Sequence, residues 1–157
     1  MIKAKQTEEP AGLTIFSATA EHTVPWAQLR HALWPDCPPE RHKLEIQQTL
    51  ASPGLVALAQ LSGKIIGMAE VSIRSDHVEG TSESPIPYLE GWFVAEAHRN
   101  RGIGRALLAF VEEWARTRGY RELASDAELH NTHSIRLHGQ SGFREVGRSV
   151  HFVKTLR

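Results

Sequence analysis

Six consecutive residues, Arg99-Asn100-Arg101-Gly102-Ile103-Gly104, combine cations and glycines just where a helix should begin. They follow an apolar run, Tyr88 to Val94, and precede an amphipathic run that opens at Arg105. That order reads as strand, loop and helix N-terminus. The first amides of a helix lack an intrahelical partner, and the helix dipole makes that end partly positive. Glycines there let an anion approach the backbone, and Arg99, Arg101 and Arg105 add charge. The stretch therefore suits a pyrophosphate. Without an anion, arginines at the positive end of a dipole are unfavourable. The pattern is Arg-x-x-Gly-x-Gly. It is not the dinucleotide fingerprint, because Leu107 stands where Gly or Ala is needed. No Gly-Lys-Ser/Thr follows, which excludes the common nucleoside-triphosphate loop.

Two carboxylates lie close to this loop in the order of elements. Glu90 interrupts the apolar strand that leads into it, and Asp126 lies on the next strand in sequence. An aliphatic amine with a pKa of about 10.4 is protonated at neutral pH and attacks only after losing that proton. A carboxylate takes the proton directly or through water, and also holds the ammonium by charge. Glu90 and Asp126 together suit a polyamine. Each has a plainer reading, Glu90 as the partner of an arginine and Asp126 as a turn cap. The segment from Arg74 to Glu90 adds Asp76, Glu79 and Glu83, an acidic wall or simply a solvated loop. An oxyanion would find a donor in the Val94 amide, beside Phe93, if the strand bulges there. Asp126, His130 and His133 flank a helix start without sharing a face, so no metal is expected.

The elements that must position these groups follow from periodicity and punctuation. Short strands are expected at Leu13–Ser17 and Glu122–Ala127, and a hairpin at Leu55–Leu61 and Ile65–Ile73 around Ser62-Gly63-Lys64. Helices are expected at Thr23–Leu33, with Thr23 as N-cap, and at Glu40–Ala51, with Leu44 and Leu50 on the buried side. The clearest helix is Arg105–Gly119, whose stripe is Leu107, Leu108, Val111, Trp114 and Ala115. Asn131 caps a helix that runs to Gln140. Residues 144–156 alternate well enough for one or two closing strands. The sum is a mixed α/β fold with helices on both faces of a central sheet. Residues 1–12 read as a disordered lead and 13–157 as one domain.

The chain has 157 residues, is 41% hydrophobic and 23% charged, and carries a formal net charge of zero. That balance gives no pull toward nucleic acid or an anionic membrane. No apolar run approaches a bilayer span, the start of the chain lacks the apolar core of a secretory signal, and Cys37 stands alone. A cytoplasmic setting is expected.

The residues from Tyr88 to Phe143 resemble the core of the GNAT superfamily of N-acetyltransferases. Flanking pieces sharpen this: Leu33-Trp34-Pro35, Ser72-Ile73-Arg74-x-Asp76-His77-Val78, Leu89-Glu90-Gly91, Ala124-Ser125-Asp126 and Ser141-Gly142-Phe143 are similar to the aminoglycoside 6′-N-acetyltransferases. The resemblance implies a mostly antiparallel GNAT sheet and acetyl-CoA as co-substrate. Trp92, Phe93 and Val94 would line the acetyl and pantetheine arm. Arg99, Asn100, Arg101, Gly102, Ile103, Gly104 and Arg105 would hold the diphosphate, and Asn131 would reach the pantetheine. Trp34, His77, Glu90 and Asp126 would face an aminoglycoside. His138 stands where many relatives place a tyrosine that protonates the leaving thiolate; a partly exposed helix histidine is the other reading. Cys37 and Gly147 depart from the pattern, which bears on drug orientation. Related enzymes are often dimers, so a homodimer is expected. A different small amine, a polyamine or a protein N-terminus remains an alternative acceptor, and a non-catalytic acyl-CoA sensor is a further alternative.

Overall fold

The computed structural model describes residues 9–156. Residues 1–8 of the expected disordered lead lie outside that range; Pro10 accepts a hydrogen bond from the Leu13 amide in a turn (3.1 Å). One sheet organises the chain. Strands β1 (Thr14–Ser17), β2 (Leu55–Leu61), β3 (Lys64–Arg74), β4 (Ile86–Val94) and β5 (Ala124–Ser125) lie side by side in chain order. The first three pairings are antiparallel and β4–β5 is parallel. Helices α1 (Thr23–Leu33), α2 (Pro39–Leu50), α3 (Ile103–Thr117) and α4 (Thr132–Gln140) complete the mixed fold.

Strand alternation sorts the core into two halves. Val56, Leu58 and Met68 meet Trp26 and Leu29 of α1 and Ile46 of α2. Leu55, Ala57, Ala59, Leu61, Ala69 and Val71 meet Ile103, Leu107, Leu108 and Val111 of α3. Helix α3 thus buries the expected stripe, with Trp114 packed at its margin. Helix α2 does not bury the expected residues. Leu44 is 54% exposed and Leu50 38%, while His42 and Ile46 face inward. The polar residue wins the inner position because Arg30 supplies its partner, Nε donating to His42 Nδ1 (3.3 Å). Burial and the Arg30 charge hold the His42 imidazole below the usual histidine range.

Arg30 is itself buried. It donates through Nη1 to Glu70 Oε2 (2.5 Å) and pairs with Glu45, while Trp26 Nε1 donates to Glu70 Oε1 (2.6 Å). Burial pushes the Glu70 carboxyl up, and the Arg30 charge and the Trp26 donor oppose it.

Three expectations need correction. Thr23 begins α1 rather than capping it, because a 3₁₀ turn at Ala20–His22 precedes the helix and the Thr23 hydroxyl donates to the Ala20 carbonyl (2.7 Å). Strand β5 is only two residues long, because β4 turns irregular beyond Leu89 and the ladder ends there. Residues 144–156 form no strand, and Phe152 and Val153 are 92% and 98% exposed. An alternating sequence becomes a strand only against a partner's hydrogen-bonding edge, and within the described residues this segment finds none.

Candidate active site

Strand β4 holds one residue more than β3 can pair. Glu70 pairs with Gly91 and Val71 with Leu89, so Glu90 is extruded as a β-bulge. The extra residue resets the alternation of β4. Leu89, Trp92 and Val94 all pack toward α3, while Phe93 packs toward α1. Gly91 faces Trp34, whose ring atoms would lie 2.7 and 3.0 Å from a Cβ placed there. The bulge also ends the ladder to β5, which pairs only with Tyr88 and Leu89. From Glu90 to Val94 that edge of β4 is open among the described residues. The condition set for a free Val94 amide, a bulge at Val94 itself, is not met: Val94 is in regular register with Gly67 and the bulge lies at Glu90. The Ala95 amide donates to the Ile66 carbonyl (2.8 Å). Successive amides alternate between strand edges, so the Val94 amide points to the open side.

Glu90 is held on the α1 face. Ser72 Oγ donates to its Oε1 (2.5 Å), and Arg74 donates Nε to Oε1 (2.8 Å) and Nη2 to Oε2 (2.7 Å). The Arg74 guanidinium lies over the Tyr88 ring at 3.4 Å. Burial and the adjacent Asp126 carboxylate push the Tyr88 phenol up to about 12. Tyr88 is thus a neutral donor beside Asp126. A carboxylate offers about four acceptor directions, and Glu90 uses three. Asp126 is exposed and carries no ion pair among the described residues. Trp34 stands on the same face with the Arg30 guanidinium over its ring (4.8 Å). The structure therefore brings Trp34, Glu90 and Asp126 to one face of the sheet.

His77 stays apart. It is 83% exposed in the loop before β4, with Glu79 at 3.8 Å. The acidic wall is also partly neutralised, because Arg121 reaches across to Glu83. Ser72, Arg74 and Tyr88 are the residues that sequence reasoning did not assign. Their signal was period two: residues 72 and 74 share a face of β3 with Glu70, whose partners lie in α1.

The glycine loop sits at the other side of the open edge. Gly102 takes φ +79° and caps α3 with no side chain, and the first helical bond runs from the Ala106 amide to the Gly102 carbonyl (3.0 Å). The amides of Ile103, Gly104 and Arg105 precede that bond and are left for an external acceptor. Asn100 is also left-handed, at φ +61°. Arg99, Arg101 and Arg105 are exposed and none has an acidic partner among the described residues. Arg99 Nε donates to the Val94 carbonyl (2.9 Å), and Trp92 Nε1 donates to the Gly104 carbonyl (2.9 Å). These two bonds tie the loop to β4. Asn131 caps α4, accepting from the Ser134 amide (3.0 Å), which leaves its amide nitrogen free.

His138 lies at the fork of β4 and β5. Its Nε2 is 2.8 Å from Ser125 Oγ, and its ring meets Trp92 edge to face at 5.5 Å. Elsewhere, Cys37, His42 and Glu45 place ligand atoms within 4.8 Å of one another. There both Glu45 oxygens already bond to arginines, Arg30 and Arg41. His130 is exposed against Glu128 (3.0 Å).

Residues 20–143 match the acetyltransferase (GNAT) family. The chain is 44% identical over 145 residues to an aminoglycoside N(6′)-acetyltransferase type 1 of Stenotrophomonas maltophilia, covering 91% of this chain and 94% of that protein. The corresponding enzyme of Serratia marcescens is 44% identical over 133 residues, covering 83% and 91%. Among solved structures, aminoglycoside N-acetyltransferase AAC(6′)-Iy in complex with the bisubstrate analogue CoA-S-monomethyl-acetylneamine superposes with a TM-score of 0.86. It is 35% identical, covering 92% of this chain and 99% of that one.

The glycine loop yields a direct expectation. If the loop holds the diphosphate of coenzyme A, Arg101→Ala should weaken that ligand roughly tenfold or more in a calorimetric titration. Gly102→Val places a β-branched residue at positive φ and closes the backbone approach, so it should weaken binding at least as much. Unchanged affinity in both folded variants would remove the loop from the cofactor site.

Proposed function

The chain belongs to the acetyltransferase (GNAT) family, and we propose that it transfers the acetyl group of acetyl-CoA to the 6′-amine of aminoglycoside antibiotics, conferring resistance. The observation that carries this reading is the extruded Glu90. It sets a carboxylate on the α1 face at the point where β4 opens, while the uncapped end of α3 lies at the end of the same strand.

The chain's residues fit both substrates. Free first-turn amides and the unpaired Arg99, Arg101 and Arg105 suit the diphosphate of coenzyme A, with Asn100, Gly102, Ile103 and Gly104 giving backbone access. Trp92, Phe93 and the open edge at Val94 suit the thioester arm, and the Asn131 amide suits its pantetheine. When bound, acetyl-CoA supplies an activated acyl group. The Val94 amide points where an oxyanion would need a donor. On the α1 face, Trp34 offers a flat wall for a sugar ring, while His77 would meet the substrate only from the exposed loop before β4. Glu90, with one acceptor direction left, orients the ammonium. Asp126, free of an ion pair, takes part in holding it and in removing its proton, directly or through water. His138 supplies the proton that the thiolate requires. A non-catalytic sensor would need no such pair of carboxylates.

The same reading includes one domain over residues 13–157, a cytoplasmic setting in which Cys37 stays reduced, and a homodimer. The exposed apolar side chains of Val150, Phe152, Val153 and Leu156 support the dimer, since single chains rarely present such a run to water. Light scattering should give twice the chain mass, and Phe152→Lys with Val153→Lys should reduce it to one chain. An unaltered mass would place the contact elsewhere.

Two measurements test the reaction. Tandem mass spectrometry should locate the added acetyl at the 6′-amine, and an aminoglycoside bearing a 6′-hydroxyl should react far more slowly. Acetylation at the 3- or 2′-amine would refute the regiochemistry; reaction with spermidine or a peptide alone would refute the substrate class. Glu90→Gln should lower turnover about a hundredfold, because the amine loses the carboxylate that orients it while Asp126 remains to take its proton. Coenzyme A affinity should be nearly unchanged. Wild-type turnover would make Glu90 purely structural.

A further inference from the structure

We propose that Arg74 is a resident cation of the acceptor site that makes the bound ammonium give up its proton, by sharing one oxygen of Glu90 with it. The proposal rests on the acetyl-transfer reading. The donors already on Glu90 decide where an ammonium can bind. Oε1 accepts twice, from Ser72 Oγ (2.5 Å) and Arg74 Nε (2.8 Å). Oε2 accepts once, from Arg74 Nη2 (2.7 Å). Each carboxylate oxygen has two acceptor directions, so the direction left open is on Oε2. An ammonium bound there stands beside Nη2, with the two nitrogens about 4–5 Å apart at ordinary hydrogen-bond lengths.

The guanidinium is not free to move aside. Its fork holds both oxygens of Glu90, and it lies over the Tyr88 ring at 3.4 Å. Nor can it shed its charge, because hydrogen bonding to Glu90 pushes it further above the usual arginine range. The other ionisable groups around this point leave the pair of cations facing each other. Tyr88 on β4 is a neutral phenol. Arg30 of α1 is taken up by Glu70 and Glu45. Asp76 and His77 follow in the exposed loop after β3. Asp126, just past β5, carries no ion pair among the described residues.

One carboxylate therefore meets two cations. It offsets one of them, and a like charge close by disfavours the charged form of the other. The arginine holds its proton, so the amine releases one. That is the state acetyl transfer needs, because only the neutral amine attacks. The N–H bond breaks with its electron pair staying on nitrogen. The proton passes to Asp126, the carboxylate with no cation of its own, and from there to water. Attraction to Glu90 places the amine, and repulsion by Arg74 deprotonates it. The same repulsion weakens binding of the ammonium, so some affinity is traded for reactivity.

Steady-state kinetics of Arg74→Gln separate this role from mere support of Glu90. Glutamine keeps a neutral donor for the carboxylate and removes the charge. At pH 7 the aminoglycoside KM should fall about threefold while kcat falls about tenfold, the joint fall that marks a lost ground-state repulsion. Raising the pH should restore kcat, because solvent then takes the proton. Arg74→Lys, which keeps the charge, should recover most of kcat at pH 7. A KM that rises as kcat falls, with no recovery at high pH, overturns the proposal and leaves Arg74 a support for Glu90. Wild-type kcat and KM in Arg74→Gln overturn it as well. A native protein that acetylates no amine overturns the parent reading, and this proposal with it.

Discussion

The bulge at Glu90 is the constraint on which the site depends. A strand with strict alternation would put Leu89 and Trp92 on opposite faces. The extra residue puts both toward α3, so that Trp92 reaches the Gly104 carbonyl and fixes the glycine loop to the sheet. It turns Gly91 toward Trp34 and Phe93 toward α1. It also stops β5 from following β4, which leaves β4 a free edge in the middle of a folded protein. One added residue thereby creates the open edge, orients the aromatic lining and aims the carboxylate.

A bulge in mid-sheet needs support, and the buried polar network provides it. Glu70, the partner of Gly91 in the ladder, is clamped by Trp26 and Arg30. Arg30 also lies over the ring of Trp34, which closes on Gly91. Breaking such a buried pair costs about 3–5 kcal/mol, because the remaining charge is stranded. The network therefore does more than stabilise α1 and α2: it holds Trp34 and the bulged strand in one relative position.

What the sequence disclosed was what depends on near neighbours. The stripe of α3, the hairpin at Ser62-Gly63, and the glycine loop with its arginines are all local patterns, and each appears with boundaries a few residues off. Glu90 and Asp126 stood out as carboxylates on strands. Their surroundings did not, because Ser72, Arg74 and Tyr88 meet them only across the sheet. Leu44 and Leu50 were misplaced for the same reason: the inward position of His42 depends on Arg30, twelve residues away. Residues 144–156 carry a strand pattern that finds no partner edge among the described residues. The bulge itself leaves no mark in one sequence, since only the count of residues in the neighbouring strand defines it.

Zero net charge does not mean an even field, because the two signs are gathered at separate places on the chain. Among the described residues Arg99, Arg101 and Arg105 have no acidic partners, so the end of α3 keeps its positive field. Glu90 and Asp126 give the α1 face the opposite sign, tempered by the Arg74 clamp on Glu90. On the proposed reading, the basic loop favours an anion and the carboxylates a cation, so each disfavours the substrate of the other. The open edge of β4 runs between them. An acyl group held along that edge and an amine held by Glu90 approach from opposite faces of a single strand. The specificity of the pairing then follows from sign and position, with no need for a net field over the whole protein.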